Sequence, residues 1–238
     1  MTGTFINFIA VIVGSVLGML LGARLPERVR TTVMAGLGLM VLVIGMSMAI
    51  TGNALIVLFS LLIGGILGEL VQIDERLSAL GRALENRFAR NGVAGQFTKG
   101  FVTASLVFCV GPLAILGSIQ DGLIGDYRLL AVKSLLDAFA SLAFASTLGL
   151  GVAFSALAVL LYQGAISLGA IGIGAALGSV TRDTPWVIQL SATGGVILLG
   201  IGLLLLDLKR IRVANLLPAI LIAPLITVGL ELLHIKMP

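Results

Sequence analysis

The chain carries eight apolar runs, at about residues 4 to 23, 31 to 50, 53 to 73, 99 to 119, 128 to 148, 150 to 178, 186 to 206 and 214 to 235. Most are near twenty residues long, the length at which a helix rising ~1.5 Å per residue crosses a ~30 Å hydrocarbon layer. No other feature restricts the fold as much, because backbone polar groups inside hydrocarbon must find partners within their own segment. Composition points the same way. Hydrophobic side chains make up 58% of the chain and charged ones 11%, against roughly 25% charged in soluble domains. So few polar groups cannot cover a soluble surface. The expected fold class is an all-α polytopic membrane protein of about eight transmembrane helices.

The net charge of +4 does not indicate nucleic-acid binding, since the charges sit in short runs between apolar blocks, as topology signals do. With the N-terminus outside, Arg24, Arg28, Arg30, Arg76, Arg82, Arg87, Arg90, Lys99, Lys209, Arg210 and Arg212 face inward, eleven of fifteen. Arg128, Arg182 and Lys236 then face outward, and Lys133 lies within a span. This bias predicts both termini outside. The first run has no basic residue before Arg24, so it is read as a retained span rather than a cleaved signal peptide.

Four segments are expected: a three-helix unit over 1–73, a cytoplasmic connector over 74–98, a central helix pair over 99–149 and a second three-helix unit over 150–238. In the connector, Leu77, Leu80, Leu84 and Phe88 recur at helical spacing among arginines, the pattern of a helix lying along the membrane surface. The run from Gly149 to Gly178 exceeds one ordinary span. Counting it as two would put the Lys209–Arg212 cluster outside, so it is read as one tilted or broken span.

A weak internal repeat joins the two three-helix units. An offset of 156 matches Asn7 to Gln163, Gly18 to Gly174, Gly22 to Gly178 and Gly38 to Gly194. An offset of 162 matches Asn53 to Asn215 and Glu69 to Glu231. The first span then corresponds to the sixth, an odd displacement, so the copies would be inverted, as in many secondary transporters. Duplication of a purely structural unit is the plainer alternative.

Gly14, Gly18 and Gly22 form a stripe on the first span; Ser60, Gly64 and Gly68 form one on the third, and Ala170, Gly174 and Gly178 one on the sixth. Small residues at this spacing let helix backbones approach closely. Gly111 and Pro112 should break the fourth span, because proline removes a backbone donor and clashes with the preceding turn. Ser118, Gln120 and Asp121 follow the break. The fifth span holds Lys133, Ser134, Asp137 and Ser141; positions 134, 137 and 141 share a face, and Lys133 is one turn from Asp137. A charge inside a span costs ~2.5 to 3.5 kcal/mol on insertion scales, so such groups face the bundle interior and pair. They form either a structural ion pair or the lining of a pathway.

No enzyme signature survives inspection. Gly122 to Asp126 reads GLIGD and lacks the first glycine of the intramembrane aspartyl protease motif; no GxSxG surrounds Ser155. One histidine, His234, and one cysteine, Cys109, provide no metal-site spacing and no intramolecular disulfide. Neither a cofactor nor a metal is expected, and the chain is read as not an enzyme.

The run CVGPLAILGSIQDGLIGD from Cys109, the run KSLLDAFASLAFASTLG from Lys133 and the YQG at Tyr162 to Gly164 resemble the YqgA-like bacterial inner-membrane proteins, a family of unknown function. The resemblance extends over the whole chain. It implies placement in the bacterial cytoplasmic membrane and brings no catalytic residues with it.

Two functions remain. The first is a small secondary transporter or ion-conducting protein whose pathway uses the polar groups of the central pair. Asp121, Asp126 and Asp137 outnumber Arg128 and Lys133 there, which mildly favours a cation or a proton-coupled solute. The second is a non-transporting scaffold or sensor. The expected partners are the lipid bilayer and a small solute or ion; the sequence leaves self-association into a homo-oligomer open.

Overall fold

The structure is a computed structural model that describes residues 1–23, 26–89, 95–177, 181 and 183–233. Arg24, Arg90, Gly178, Arg182, His234 and Lys236, named above, lie outside the described residues. Among the described residues there are ten α-helices and no strand: α1 Thr2–Gly22, α2 Glu27–Ala49, α3 Ala54–Val71, α4 Ile73–Phe88, α5 Gln96–Val110, α6 Pro112–Ile124, α7 Arg128–Leu148, α8 Leu150–Leu177, α9 Pro185–Leu205 and α10 Pro218–Leu232. A 3₁₀ turn, Val213–Leu216, precedes α10. Seven of these elements are long and apolar enough to cross a membrane, and α5 with α6, bent by 62° at their junction, makes an eighth if counted as one span. The chain is an all-helical polytopic membrane protein.

The break falls at Gly111, where α5 ends at Val110 and α6 starts on Pro112. Proline suits a first helical position, because the N–H it lacks would have no partner there anyway. The long run after Gly149 is a single helix of 28 residues, about 42 Å at 1.5 Å per residue, which exceeds the hydrocarbon thickness and requires tilt or projection beyond it.

The helices are inverted in polarity relative to those of a soluble bundle. On α1, Phe5, Ile9, Val13, Val16 and Leu20 face outward, whereas Gly3, Thr4, Asn7, Gly14, Ser15, Gly18 and Gly22 are buried. Large apolar side chains outside and small or polar ones inside are what lipid selects: tails solvate the former, and only close packing stabilises helix association.

Two compact units result. The first comprises residues 1–37, 77–109 and 113–180. Its centre is a parallel pair, α1 alongside α7, as the first and fifth spans of an alternating chain must be. Gly14 lies against the Ala138 carbonyl, Gly18 against that of Leu142 and Gly22 against that of Ser146; a Cβ at any of them would overlap backbone. α1 also packs on α8. Arg30 donates to the Gly22 carbonyl at 2.5 Å and so caps the end of α1. The part of α4 in this unit sits on α5 and α8 through Gly81, which meets Thr98 and Phe101, and through Phe88, whose ring lies 5.0 Å from that of Phe154. Leu77 and Leu84 are half-buried and Leu80 and Phe88 are exposed, while Arg82 is exposed on the opposite side and Arg87 lies beside the apolar stripe, its guanidinium 5.9 Å from the Phe88 ring centroid.

The second unit comprises residues 38–76, 110–112 and 181–238. Here α2 and α9 run antiparallel: Gly38 meets Leu206, Gly45 meets Gly195, and Gly52 meets Ala192. So do α3 and α10, whose contact is built from Gly64 against Ala219 and Gly68 against Asn215 at the turn before α10. The grouping cuts across chain order, and each unit takes helices from both of the three-helix segments.

Candidate functional site

Three charged side chains are buried among the described residues, Asp121, Lys133 and Asp137, and all three belong to the first unit. Lys133 and Asp137 stand one turn apart on α7 and form an ion pair. The partner from outside the helix is Asn7 of α1, whose Nδ2 donates to Asp137 Oδ2 at 3.0 Å. Lys133 also has its Nζ 6.0 Å from the Phe108 ring centroid on α5, a distance at which a cation is attracted to the ring face. One carboxylate thus holds a lysine, an amide and, through them, two neighbouring helices.

The second buried carboxylate, Asp121 near the end of α6, serves the start of α1. Its Oδ2 accepts from the Gly3 backbone N–H at 3.1 Å, and its Oδ1 lies 3.1 Å from the Met1 amino group. A carboxylate at a helix N-terminus meets unsatisfied N–H groups and the positive end of the dipole. Asp121 is therefore accounted for as a capping group.

The serines of the central pair are turned into their own helices. Ser118 donates to the Ala114 carbonyl, Ser134 to that of Leu130 and Ser141 to that of Ala138, the back-bonding typical of hydroxyls in apolar helices. Ser167 of α8 donates across to the Ser118 carbonyl at 2.9 Å, and Gln120 is half-buried. Gly111 and Pro112 fall in the second unit and Lys133 and Asp137 in the first, so the helix break and the carboxylate are features of separate units.

Several fully buried polar atoms of the first unit have no protein partner. They include Thr4 Oγ1, Asn7 Oδ1 and Ser15 Oγ on α1, Ser105 Oγ on α5 and both amide atoms of Gln163 on α8, whereas in the second unit Thr193 Oγ1 is in the same position. An unsatisfied amide in an apolar medium costs several kcal/mol, so the Asn7 and Gln163 carboxamides are the least expected of these groups. Sequence reasoning singled out Asn7 and Gln163 through the repeat alone. Thr4 and Ser15 carry no signal in the sequence, since a hydroxyl in an apolar run is common.

The remaining repeat-related residues belong to the second unit and work at helix ends. Asn53 caps α3, its Oδ1 accepting from Leu55 N at 3.0 Å, while its own N–H donates to Gln189 Oε1 at 2.8 Å. Glu69, near the end of α3, pairs with Arg212 and accepts from Asn215 Nδ2 at 2.6 Å; Asn215 Oδ1 accepts from the Asp74 backbone N–H at 2.7 Å. Glu231 is exposed near the far end of α10. Because α3 and α10 are antiparallel, Glu69 and Glu231 stand at opposite ends of that pair. Among the described residues, no group of three or more His, Cys, Asp or Glu side chains is placed to hold a metal ion.

Comparison with known proteins places the chain in a family. Residues 2–228 match the model of a family described as a protein of unknown function, DUF554. The chain is similar to the uncharacterized membrane protein YdfK of Bacillus subtilis, at 32% identity over 95% of both chains. It is also similar to the uncharacterized protein YqgA of Escherichia coli, at 33% identity over 93% of this chain and 94% of that one. No solved structure matches. With the family model and both relatives covering nearly its whole length, the chain belongs to the DUF554 family of membrane proteins.

Proposed function

We propose that the protein is a small secondary transporter or ion-conducting protein of the bacterial cytoplasmic membrane, with its pathway along the α1–α7 seam of the first unit. The observation that carries this reading is Asp137. It sits in a membrane-spanning helix, ten residues into α7, is held from α1 by Asn7, and has unpartnered amide groups on α1 and α8 in the same unit. A helix bundle that served only as a frame gains nothing from such groups, because apolar residues pack there without the desolvation penalty. Coupling to a cation or a proton fits the carboxylate: Lys133 balances Asp137 in the empty state, and an arriving positive charge competes for the same oxygens.

The inverted repeat belongs to the same proposal. Its support is that repeat-related helices pack on one another, α1 on α8, α2 on α9 and α3 on α10, the last two pairs antiparallel. Inverted copies exchanging roles about a central site would give alternating access. The N-out orientation rests on the arginine bias, and cysteines at the exposed positions Thr51 and Arg82 should then label from opposite membrane faces. Labelling from one face would remove both the topology and the inversion.

One observation favours the scaffold reading: Lys133 and Asp137 neutralise each other within one helix. A single experiment separates the two. Proteoliposomes loaded with a pH-sensitive dye are challenged with a panel of small solutes and cations, and proton or solute flux is followed for the wild type, Asp137→Asn and the double variant Lys133→Met/Asp137→Leu. Transport predicts loss of flux in both variants with folded protein retained. Equal flux in wild type and Asp137→Asn, or none in any form, sinks the proposal.

A further inference from the structure

Among the described residues, Gln163 is the one buried carboxamide whose hydrogen-bonding capacity is wholly unused: it is 0% exposed, with neither amide atom partnered. It lies on the buried face of α8, the helix that packs on α1. Its neighbour Gly164 faces the terminal methyl of Met1, and Ser167, one turn on, bonds to α6. Gln163 is thus fully buried in a helix that packs on α1, the helix whose Asn7 holds Asp137. On α1, the Asn7 amide is oriented by its donation to Asp137, which leaves Oδ1 as its free atom, an acceptor without a donor.

We infer that Asn7 and Gln163 form the hydrogen-bonding half of a binding site beside the Lys133–Asp137 pair, and that its ligand is a small solute of zero net charge carrying both donors and acceptors. The inference rests on the transport reading above, because both side chains are fully buried and only a bundle that opens would admit a ligand. The ligand class follows from the free groups. A metal cation would use the oxygens of Asn7 and Gln163, leave the Gln163 N–H groups without a partner, and place a net positive charge beside Lys133. An anion would use those N–H groups and meet the Asn7 carbonyl oxygen and the Asp137 carboxylate instead. A neutral polar molecule or a zwitterion satisfies the donors and acceptors together. It also leaves the charge balance of the pair intact, so no uncompensated charge enters the low-dielectric interior.

The test is thermal unfolding of the full chain in detergent micelles with a panel of probes at matched ionic strength. The net-neutral probes are glycine, L-alanine, urea and glycerol; the ionic ones are sodium, potassium, methylammonium, acetate and phosphate. The expected result is a saturable rise of roughly 5 °C in Tm with at least one net-neutral probe and a smaller one with any ion, since a coupling cation would engage Asp137 and leave the Gln163 N–H groups without a partner. Gln163→Leu should lose that shift while unfolding no earlier than the wild type, since it removes an unsatisfied amide; a structural role would instead lower its Tm. Stabilisation by ions alone overturns the inference. So does no shift with any probe, the result expected if water alone satisfies these atoms, and so does a shift retained in Gln163→Leu. A neutral-probe shift without flux in vesicles leaves the site standing and removes the transport reading. Cation flux without a neutral-probe shift does the reverse.

Discussion

The two units use the same packing device and differ in where they keep polarity. In the first, Gly14, Gly18 and Gly22 bring α1 onto the backbone of α7; in the second, Gly64 and Gly68 bring α3 onto the start of α10. Glycine seams of this kind only set how closely helices approach. The first unit buries Asp121, Lys133 and Asp137, whereas no charged side chain of the second is buried among the described residues. The second holds its carboxamides and carboxylates at helix ends, where Asn53 caps α3 and Arg212 gathers Glu69 and Glu75. Polar groups at helix ends find water, headgroups or orphan backbone groups and stabilise the fold at little cost. Polar groups in mid-helix do not, which is why chemistry is assigned to the first unit.

The largest expected effect should not distinguish the units. Gly18→Leu and Gly68→Leu each drive a side chain into a backbone carbonyl that cannot retreat, at Leu142 and Asn215 respectively. Overpacking of a core by movable side chains already costs about 1–3 kcal/mol, and backbone overlap costs more. Both variants should fail to give monodisperse protein on size-exclusion chromatography. Normal elution of either would show that its seam is looser than described.

Charge removal should separate the units next. Lys133→Ala leaves Asp137 buried without its counter-charge, a change worth about 3–5 kcal/mol. Arg212→Ala removes an ion pair whose side chains are 59% and 53% exposed, worth less than about 1 kcal/mol after solvent screening. Thermal unfolding of the two variants should differ plainly, and similar destabilisation would erase the contrast drawn between the units.

A smaller effect concerns α4. Glu85 of α4 accepts from Gly95 N at 2.6 Å and from the backbone and hydroxyl of Thr98, and so caps the start of α5 from a distance. The Thr98 hydroxyl, foremost, holds its carboxyl below the usual value of 4.5. A depressed folded pKa contributes stability that is present above the unfolded value and lost as pH falls through the folded one. Glu85→Gln should therefore be slightly less stable than wild type from pH 7 down to about 4.5, by well under about 1 kcal/mol for so exposed a group. The difference should vanish at lower pH; a gap that widens on acidification would contradict this role.

Much of the fold is legible in the sequence, for a physical reason. Hydrocarbon thickness fixes span length, so the apolar runs locate the helices within a few residues, and Pro112 marks the break. Lys133 and Asp137 are legible as exceptions to hydropathy, and their spacing already pairs them. Partners across helices are not legible. The stripe from Gly14 to Gly22 announces a close approach without naming α7, and nothing in the sequence joins Asn7 to Asp137 or Arg212 to Glu69. Those pairings depend on which faces meet once the helices are assembled. Asp121 is legible as a buried charge, while its capping of α1 is not, because that requires the end of α6 to arrive beside the first turn of the chain.

The central claim is that the seam of the first unit opens to water and that of the second does not. In a Cys109→Ala background, single cysteines at Ser134 and at Ser60 compare two serines, each buried and each bonded to its own helix. Ser134 lies one residue from Lys133, and Ser60 lies in α3 of the second unit. Labelling by a small, charged, membrane-impermeant thiol reagent in intact vesicles should modify the cysteine at 134 at a measurable rate and leave that at 60 inert. Equal inertness at both positions would mean that Lys133 and Asp137 form a sealed structural pair and that no pathway runs along α1 and α7.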